Sequence, residues 1–263
     1  MDFSTIQLLY IAISTLVGET FGTMFGGGSF FIQPALLAIG ITPSIAVAND
    51  VTAALFSSYA YVLFTKKSDR AAFSFREYGQ IVLYMAPPIV CGAFIGAHIL
   101  DALPEHVLKW IIICICGAGV VYTLLHVTSG TAKKTNKSRQ KFVSYWRVFA
   151  VLAGLGVGMY DGISGAGSGI LFILFMTFIF RMDMKALLPI INLLSGISLS
   201  AAAITFFFLG LLDWHLLSVM VPASILAGLL AARITRFLPE KILRTFYGIV
   251  VFALMLYLLK DIL

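Results

Sequence analysis

The stretch GTMFGGGS, at residues 22–29, lies inside an apolar segment that runs from Asp2 to Lys66. Glu19 and Asp50 are the only charged residues within that segment. Consecutive glycines break helices, and broken backbone at membrane depth is tolerated only inside protein or beside a water-filled cavity. The stretch therefore predicts a functional helix break in a membrane-embedded chain.

A second stretch, GISGAGS at residues 162–168, has nearly the same chemistry in the other half of the chain. It lies between Arg147 and Arg181, where Asp161 is the only charged residue. A pair of interrupted apolar segments at corresponding positions is the best sequence indication of the binding site of a secondary transporter.

The composition fits a membrane protein throughout. Of the 263 residues, 60% are hydrophobic and 11% are charged, whereas a soluble domain carries about 25% charged residues. Apolar runs longer than about 18 residues indicate membrane spans, so we predict an all-α polytopic membrane protein. The net charge of +6 comes from basic residues in loops, which favours membrane orientation rather than nucleic-acid binding. No metal-ligand spacing or nucleotide motif is present, so we expect no cofactor and no metal.

We predict two repeats separated by a basic linker. The N-terminal repeat, 1–127, contains a long segment at 4–40 and helices at 42–64, 77–100 and 104–127. The linker, 128–142, is expected in the cytoplasm. The C-terminal repeat, 143–263, contains a long segment at 145–180 and helices at 185–210, 214–237 and 241–260.

Ordered matches between the halves support the repeat. Leu103-Pro104-Glu105 matches Leu238-Pro239-Glu240 at an offset of 135 residues (238 − 103). Gly26, Gly28 and Ser29 match Gly165, Gly167 and Ser168 at an offset of 139 (165 − 26). A small drift in offset is what loop insertions produce between copies of one unit.

Loop charge predicts that the two repeats are inverted. Basic clusters follow the helix at 42–64, fill the linker and surround 233–244, so these loops should be cytoplasmic. The loops near Asp101 and Asp213 contain few basic residues and should be external. Each long segment must then begin and end on one side, as a re-entrant hairpin with its glycines at the tip. A single broken span, giving four crossings per half and parallel repeats, is the alternative.

The two tips are the predicted anion site. A helix begins after each run of glycines, and helix N-termini present free N–H groups and a positive dipole end. The expected substrate-binding residues of the tips are Gly26, Gly27, Gly28, Ser29, Gly165, Ala166, Gly167 and Ser168. The alternative for Gly18, Gly22 and Gly26, which are spaced by four, is a small-residue helix-packing face.

Buried polar residues of the following helices complete the predicted site. Asn49 and Asp50 lie about 12 Å into the membrane along their helix, and Asn192 lies at a similar depth in the second half. Polar residues at that depth indicate function by default, so we expect both asparagines to bind substrate. The alternative is that they form hydrogen bonds between helices.

Three interior carboxyls have no matching cations in the sequence: Glu19, Asp50 and Asp161. Burial favours the neutral form of a carboxyl, so we assign these three residues to proton coupling. For Glu19 and Asp161 the alternative is a position facing water at a helix end.

Residues Gly162-Ile163-Ser164-Gly165 also have the Gly-x-Ser-Gly form found around the nucleophile of intramembrane serine proteases. Such an enzyme needs a histidine base within hydrogen-bonding reach of the serine. Because the histidines fall near predicted helix ends or at the periphery, we expect a protein that is not an enzyme.

The pattern resembles the TauE/SafE family of sulfite and sulfonate exporters, also called the toluene-sulfonate uptake permease family. The resemblance rests on residues 22–29, on Pro34-Ala-Leu-Leu and Ala46-Val-Ala-Asn49, and on residues 162–168. It implies transport of a small sulfur-containing anion, sulfite or an organosulfonate, across the cytoplasmic (inner) membrane. One departure is Asn49-Asp50, where the family often has small or hydroxyl residues.

The sequence thus predicts a multi-pass secondary transporter that works by alternating access as its two halves rock against each other. Its expected partners are the anion, protons and the lipid bilayer. A passive anion channel is the alternative, and the oligomeric state and transport direction are left open.

Overall fold

A computed structural model describes residues 4–65, 75–100, 146–180 and 184–239, and within these ranges every regular element is an α-helix. In the first half they are α1 (Thr5–Phe25), α2 (Ser29–Ala38), α3 (Pro43–Phe64) and α4 (Phe75–Ile99). In the second half they are α5 (Trp146–Ile163), α6 (Ser168–Phe180), α7 (Met184–Phe208) and α8 (Trp214–Phe237). The predicted helices at 104–127 and 241–260 and the linker at 128–142 lie outside the described residues.

The helix ends follow local sequence signals. Ser4 begins α1 with a capping box, in which its hydroxyl accepts from the Gln7 N–H at 3.3 Å. Pro43 occupies the first turn of α3, where its missing N–H costs nothing. Asp213 caps α8 by accepting from two backbone N–H groups. As a result, α3, α4, α7 and α8 begin and end within two residues of the predicted bounds.

Both long apolar segments are interrupted where the glycines stand. Gly26 and Gly27 have φ values of 75° and 101°, and Gly165 and Gly167 have φ values of 65° and 83°. Residues with a Cβ rarely adopt this left-handed region, so these turns require glycine. Beyond the first turn, Gly28 and Ile32 lie against Gly18 and Gly22, which means that α2 runs back alongside α1.

Four described helices are long and apolar enough to cross a membrane: α1, the Gly79–Ile99 part of α4, the Leu187–Phe208 part of α7, and α8. Large apolar side chains face outward on them, including Ile6, Leu83 and Phe208 at 81%, 70% and 80% exposure. Such a surface is stable against lipid rather than water. In contrast, α3 carries buried polar residues and packs against α1, α2, α7 and α8.

The main contacts between helices occur in matching pairs when α1, α2, α3 and α4 are taken as the counterparts of α5, α6, α7 and α8. The helix α1 packs on α8, and its counterpart α5 packs on α4. The helix α3 packs on α8, and its counterpart α7 packs on α4. The central pair, α3 and α7, pack on each other.

Small residues bring α4 and α5 into close contact. A Cβ on Gly92 would lie 2.7 Å from the backbone nitrogen of Met159, and Gly96 lies against Gly162 in the same way. Glycine at these positions lets the two backbones approach, which is how helices associate in lipid.

Candidate functional site

The two glycine tips touch each other at the centre of the described helices. A Cβ on Gly26 would lie 2.7 Å from the Cα of Gly169, and a Cβ on Gly169 would lie 2.6 Å from the Cα of Gly26. Any side chain at either position would force the tips apart. The predicted alternative of a packing face therefore describes Gly18 and Gly22, which contact α2, whereas Gly26 contacts the other half of the chain.

A cavity of about 60 Å³ lies between the tips and α3 and α7. A single bound water needs about 10–15 Å³ of such space, so this cavity suits a few waters or one small polyatomic ion. Among the described residues, no lysine or arginine lines it. Among the predicted site residues, its walls include Glu19, Gly26, Gly27, Gly28, Ser29, Gly165, Ser168 and Asn192.

Backbone N–H groups are among the hydrogen-bond donors that line the cavity. In the described part of the chain, the N–H groups of Gly27, Gly28 and Ser29 have no backbone acceptor, and neither does that of Gly169. All four residues line the cavity, at the N-terminal ends of α2 and α6. Helix N-termini leave such groups unpaired and carry the positive end of the helix dipole. The arrangement can therefore bind an anion without a cationic side chain.

Two predicted tip residues, Ala166 and Gly167, do not line the cavity. The carbonyl of Ala166 accepts a hydrogen bond from the Tyr160 hydroxyl at 2.5 Å. Gly167 lies against the Phe30 ring, which a Cβ would approach to 3.0 Å. Both residues shape the second tip, so we leave them out of the proposed binding set.

The structure places the two asparagines differently. Asn49 is fully buried away from the cavity, where its amide donates to the Ile45 and Leu211 carbonyls and accepts from the Asp213 N–H at 3.0 Å. These bonds tie α3 to the α7–α8 loop, so we also leave Asn49 out of the proposed set. Asn192 lines the cavity, and its amide nitrogen donates to the Thr23 carbonyl at 3.1 Å. It thereby fastens α7 to the last turn of α1.

The carboxyls of Glu19 and Asp50 are buried, and each accepts a hydrogen bond from a side chain on another helix. The Ser57 hydroxyl donates to Glu19 at 2.5 Å, and the Gln33 amide donates to Asp50 at 2.9 Å. Glu19 is 4% exposed, so the alternative of a water-facing position at a helix end is wrong for it. Asp50 lies one layer behind the cavity, next to Ser29.

Asp161 is also buried, which contradicts a water-facing position, but its surroundings differ. Neither of its carboxyl oxygens has a hydrogen-bond partner among the described residues. The hydroxyls of Ser168 and Ser198 are the polar side chains beside it. This carboxyl thus lies directly behind the second tip, with two serine hydroxyls as its polar neighbours.

Gln33 is the main residue that the sequence analysis missed. Its amide nitrogen donates to Asp50 and, at 2.7 Å, to the Ser164 carbonyl. It therefore joins the first hairpin to α3 and to the second tip. A usable signal was present, since Gln33 follows Ser29 by four residues and is the only amide in α2.

A membrane-embedded helical bundle with a polar cavity at two interrupted helices has the architecture of a membrane transporter. The chain belongs to the TauE/SafE sulfite exporter family, whose family model matches residues 10–258. The chain is thus a multi-pass membrane transporter and not an enzyme, which removes the protease alternative based on Ser164.

Proteins similar to this chain are named as probable membrane transporters. One, named probable membrane transporter protein YfcA, from Escherichia coli (strain K12), is 23% identical over 236 residues, 90% of this chain and 83% of the relative. Another, named probable membrane transporter protein ORF9, from a Sinorhizobium species, is 26% identical over 261 residues, 99% of this chain and 95% of the relative. No solved structure matches the chain.

Proposed function

We propose that this chain is a secondary transporter that moves sulfite or an organosulfonate across the cytoplasmic membrane by alternating access. The observation that carries the proposal is the contact between the Gly26 and Gly169 tips beside a small cavity with unpaired backbone N–H groups. The family description, which names sulfite, supports the choice of substrate class.

The chemistry of the cavity suits transient anion binding. Two helix N-termini and the Ser29 and Ser168 hydroxyls would donate to the oxygens of a sulfite or sulfonate group. Without a lysine or arginine, the binding energy stays moderate, and a transport site must release its ligand as readily as it binds it. An organosulfonate would need room for its carbon chain beyond the 60 Å³ of this state, so sulfite is our first choice.

Two inverted halves, each with a re-entrant hairpin, are the architecture that we propose for this transport. The folding-back of α2 on α1 favours a hairpin over a single broken span. The packing pattern that survives exchange of the halves supports a repeat, and the predicted loop charges favour inversion. Because the tips belong to different halves, rocking one half against the other would open the cavity to alternate sides.

Proton coupling is assigned in this proposal to Glu19 and Asp50. A proton on either carboxyl removes one negative charge beside the cavity, so proton and anion can be bound together. Glu19 lines the cavity directly, whereas Asp50 reaches it through Ser29. Their hydrogen-bond donors, Ser57 and Gln33, hold both carboxyls in place.

Uptake of radiolabelled sulfite into proteoliposomes tests this function, with protein-free liposomes as the control. The proposal expects saturable uptake that rises when the outside is made more acidic than the inside. Flux that increases linearly with sulfite concentration would indicate the channel alternative. Absence of sulfite uptake by correctly folded protein would contradict sulfite as the substrate.

A further inference from the structure

We infer that the cavity between the tips selects oxyanions that carry a single negative charge, and that Glu19 is the residue that excludes dianions. The inference rests on the proposed function, since it concerns the same cavity and defines which form of its anion can enter. Near neutral pH sulfite carries one or two charges, depending on whether it holds a proton, whereas sulfate carries two. A site with this selectivity accepts hydrogensulfite and rejects sulfate.

The positive charge that the cavity offers to an anion is small. Each helix N-terminus carries about half of an elementary charge, so the beginnings of α2 and α6 together offer about one. Among the described residues that line the cavity, Glu19 is the only one with an ionisable side chain, and no cationic side chain there offsets it. These walls match an anion with one negative charge and contain nothing that neutralises a second.

The Glu19 carboxyl lies close to the donors of the first tip. An ideal Cβ on Gly22 would lie 3.0 Å from the Gly28 nitrogen and 4.0 Å from Oε2 of Glu19, so these two atoms are at most 7.0 Å apart (3.0 + 4.0). The Ser57 hydroxyl donates to the same Oε2 atom at 2.5 Å and holds the carboxyl in the cavity wall. An oxyanion that accepts from the Gly28 N–H at about 2.9 Å therefore lies directly beside this carboxyl.

A second negative charge on the ligand is costly at such a distance. Repulsion between two unit charges about 7 Å apart, at an effective dielectric constant of about 20, lowers an affinity by about 50-fold. The helix N-termini attract a dianion more strongly than a monoanion, which offsets part of this loss. We therefore expect a preference of at least about tenfold for the singly charged ion when two anions have the same shape.

The same selectivity implies that one proton accompanies each sulfite. The dianion can enter when Glu19 holds a proton, and the total charge in the cavity then equals that of hydrogensulfite beside the ionised carboxylate. In both cases one proton enters the cavity with the ligand, either on the sulfite or on Glu19. The residue that selects the charge is thus also a residue to which proton coupling is assigned.

Chlorate and sulfite distinguish the effect of charge from that of shape. Both are pyramidal ions with three oxygens, and chlorate keeps a single charge at any pH that the protein tolerates. Each sodium salt would be titrated into purified protein in detergent, at a pH at which sulfite carries two charges. Sodium gluconate, whose anion is too large for the 60 Å³ cavity, would keep the sodium concentration constant.

Binding would be measured as a saturable rise in Tm, which a ligand of the folded state produces. The wild type should reach half-saturation at a concentration of chlorate at least about tenfold lower than that of sulfite. Glu19→Gln removes the charge and keeps the shape of the side chain, so E19Q should lose the preference for chlorate. Glu19→Asp is the matched control, because it keeps the charge and shortens the side chain, and E19D should keep the preference.

Equal half-saturation of the wild type by chlorate and sulfite would overturn the inference, as would the absence of any response to chlorate. A wild-type preference for chlorate in E19Q would overturn the role of Glu19. If E19Q does not fold, loss of the preference in E19D overturns that role instead. Chlorate preference in a protein that takes up no sulfite would contradict sulfite as the substrate and support the charge selectivity, so the two failures are distinguishable.

Discussion

Substitution of Gly26 by alanine is the sharpest perturbation of the contact between the tips. Gly26 has φ 75° and ψ 142°, a region that costs a residue with a Cβ about 1–3 kcal/mol. The new Cβ would also lie 2.5 Å from the carbonyl carbon of Gly169, whereas ordinary contact begins at 3.4 Å. The tips must therefore separate by about 1 Å, an overpacking that costs about a further 1–3 kcal/mol.

Gly40→Ala separates the cost of backbone strain from the cost of the steric overlap between the tips. Gly40 has φ 90°, and no atom of the described residues lies within 4 Å of an ideal Cβ on it, so its replacement introduces the backbone strain alone. We expect G40A to lower the Tm and keep sulfite uptake. We expect G26A to lower the Tm further and to lose at least nine-tenths of its uptake per inserted molecule.

Both variants and the wild type would be purified, reconstituted at equal density and assayed for Tm and for initial uptake of radiolabelled sulfite. Wild-type uptake by G26A would refute the reasoning that the closed tips form the binding site. Equal loss of uptake in G40A and G26A would refute it as well, because the damage would then come from strain in general.

Three further predictions concern the surroundings of the tips. Ser57→Ala removes the donor to Glu19 and should destabilise the protein by about 1–3 kcal/mol, measured as a fall in Tm. Gln33→Leu removes two donated hydrogen bonds at similar side-chain size and should lower uptake several-fold with normal membrane insertion. Gly92→Ala should lower the Tm because its Cβ would overlap α5. A Cβ on Gly156 would meet no atom of the described residues, so Gly156→Ala should leave the Tm unchanged.

Each of these three substitutions has its own control. For S57A the control is S224A, which removes a buried hydroxyl that has no hydrogen-bond partner among the described residues, and an equal Tm for both would contradict a stabilising bond to Glu19. For Q33L, Gln33→Asn shortens the side chain and should also fail to bridge, so full uptake by either variant would contradict the bridging role. Equal Tm values for G92A and G156A would contradict close packing of α4 on α5.

Hydropathy and capping signals were sufficient to predict most of the described helices from the sequence. The bounds of α8 were predicted to the residue because Asp213 caps it at one end and Leu238-Pro239 follows it at the other. The two breaks were predictable since consecutive glycines are costly in a helix unless the turn needs them. The sequence analysis assigned both glycine tips to one anion site, and the structure brings Gly26 and Gly169 of the two tips into contact.

The direction that a side chain faces was harder to predict. Asn49 and Asp50 are adjacent and lie at nearly the same depth along α3, yet their side chains point to different sides of the helix. Asn49 bonds to the α7–α8 loop, which lies more than 160 residues away in the sequence. Periodicity did not resolve this, because α3 is surrounded by protein and has no single polar face.

Hydrogen-bond partners from distant parts of the chain could not be predicted from the sequence either. The donor to Glu19 is Ser57, 38 residues further on, and Gln33 reaches Ser164 across 131 residues. Serine is common in membrane helices, and the four-residue spacing of Ser29 and Gln33 gave no indication of partners on other helices. Only the folded chain shows which side chains donate to these carboxyls.

The central claim is that a small oxyanion binds between the two tips. Selenite has the same pyramidal shape as sulfite and a heavier atom at its centre, so its position in a crystal can be located by anomalous scattering once it is known to compete with sulfite for uptake. We predict one anomalous peak in the cavity, within hydrogen-bonding distance of the backbone nitrogens of Gly28, Ser29 and Gly169. A peak elsewhere in the protein, with none between the tips, would contradict the account.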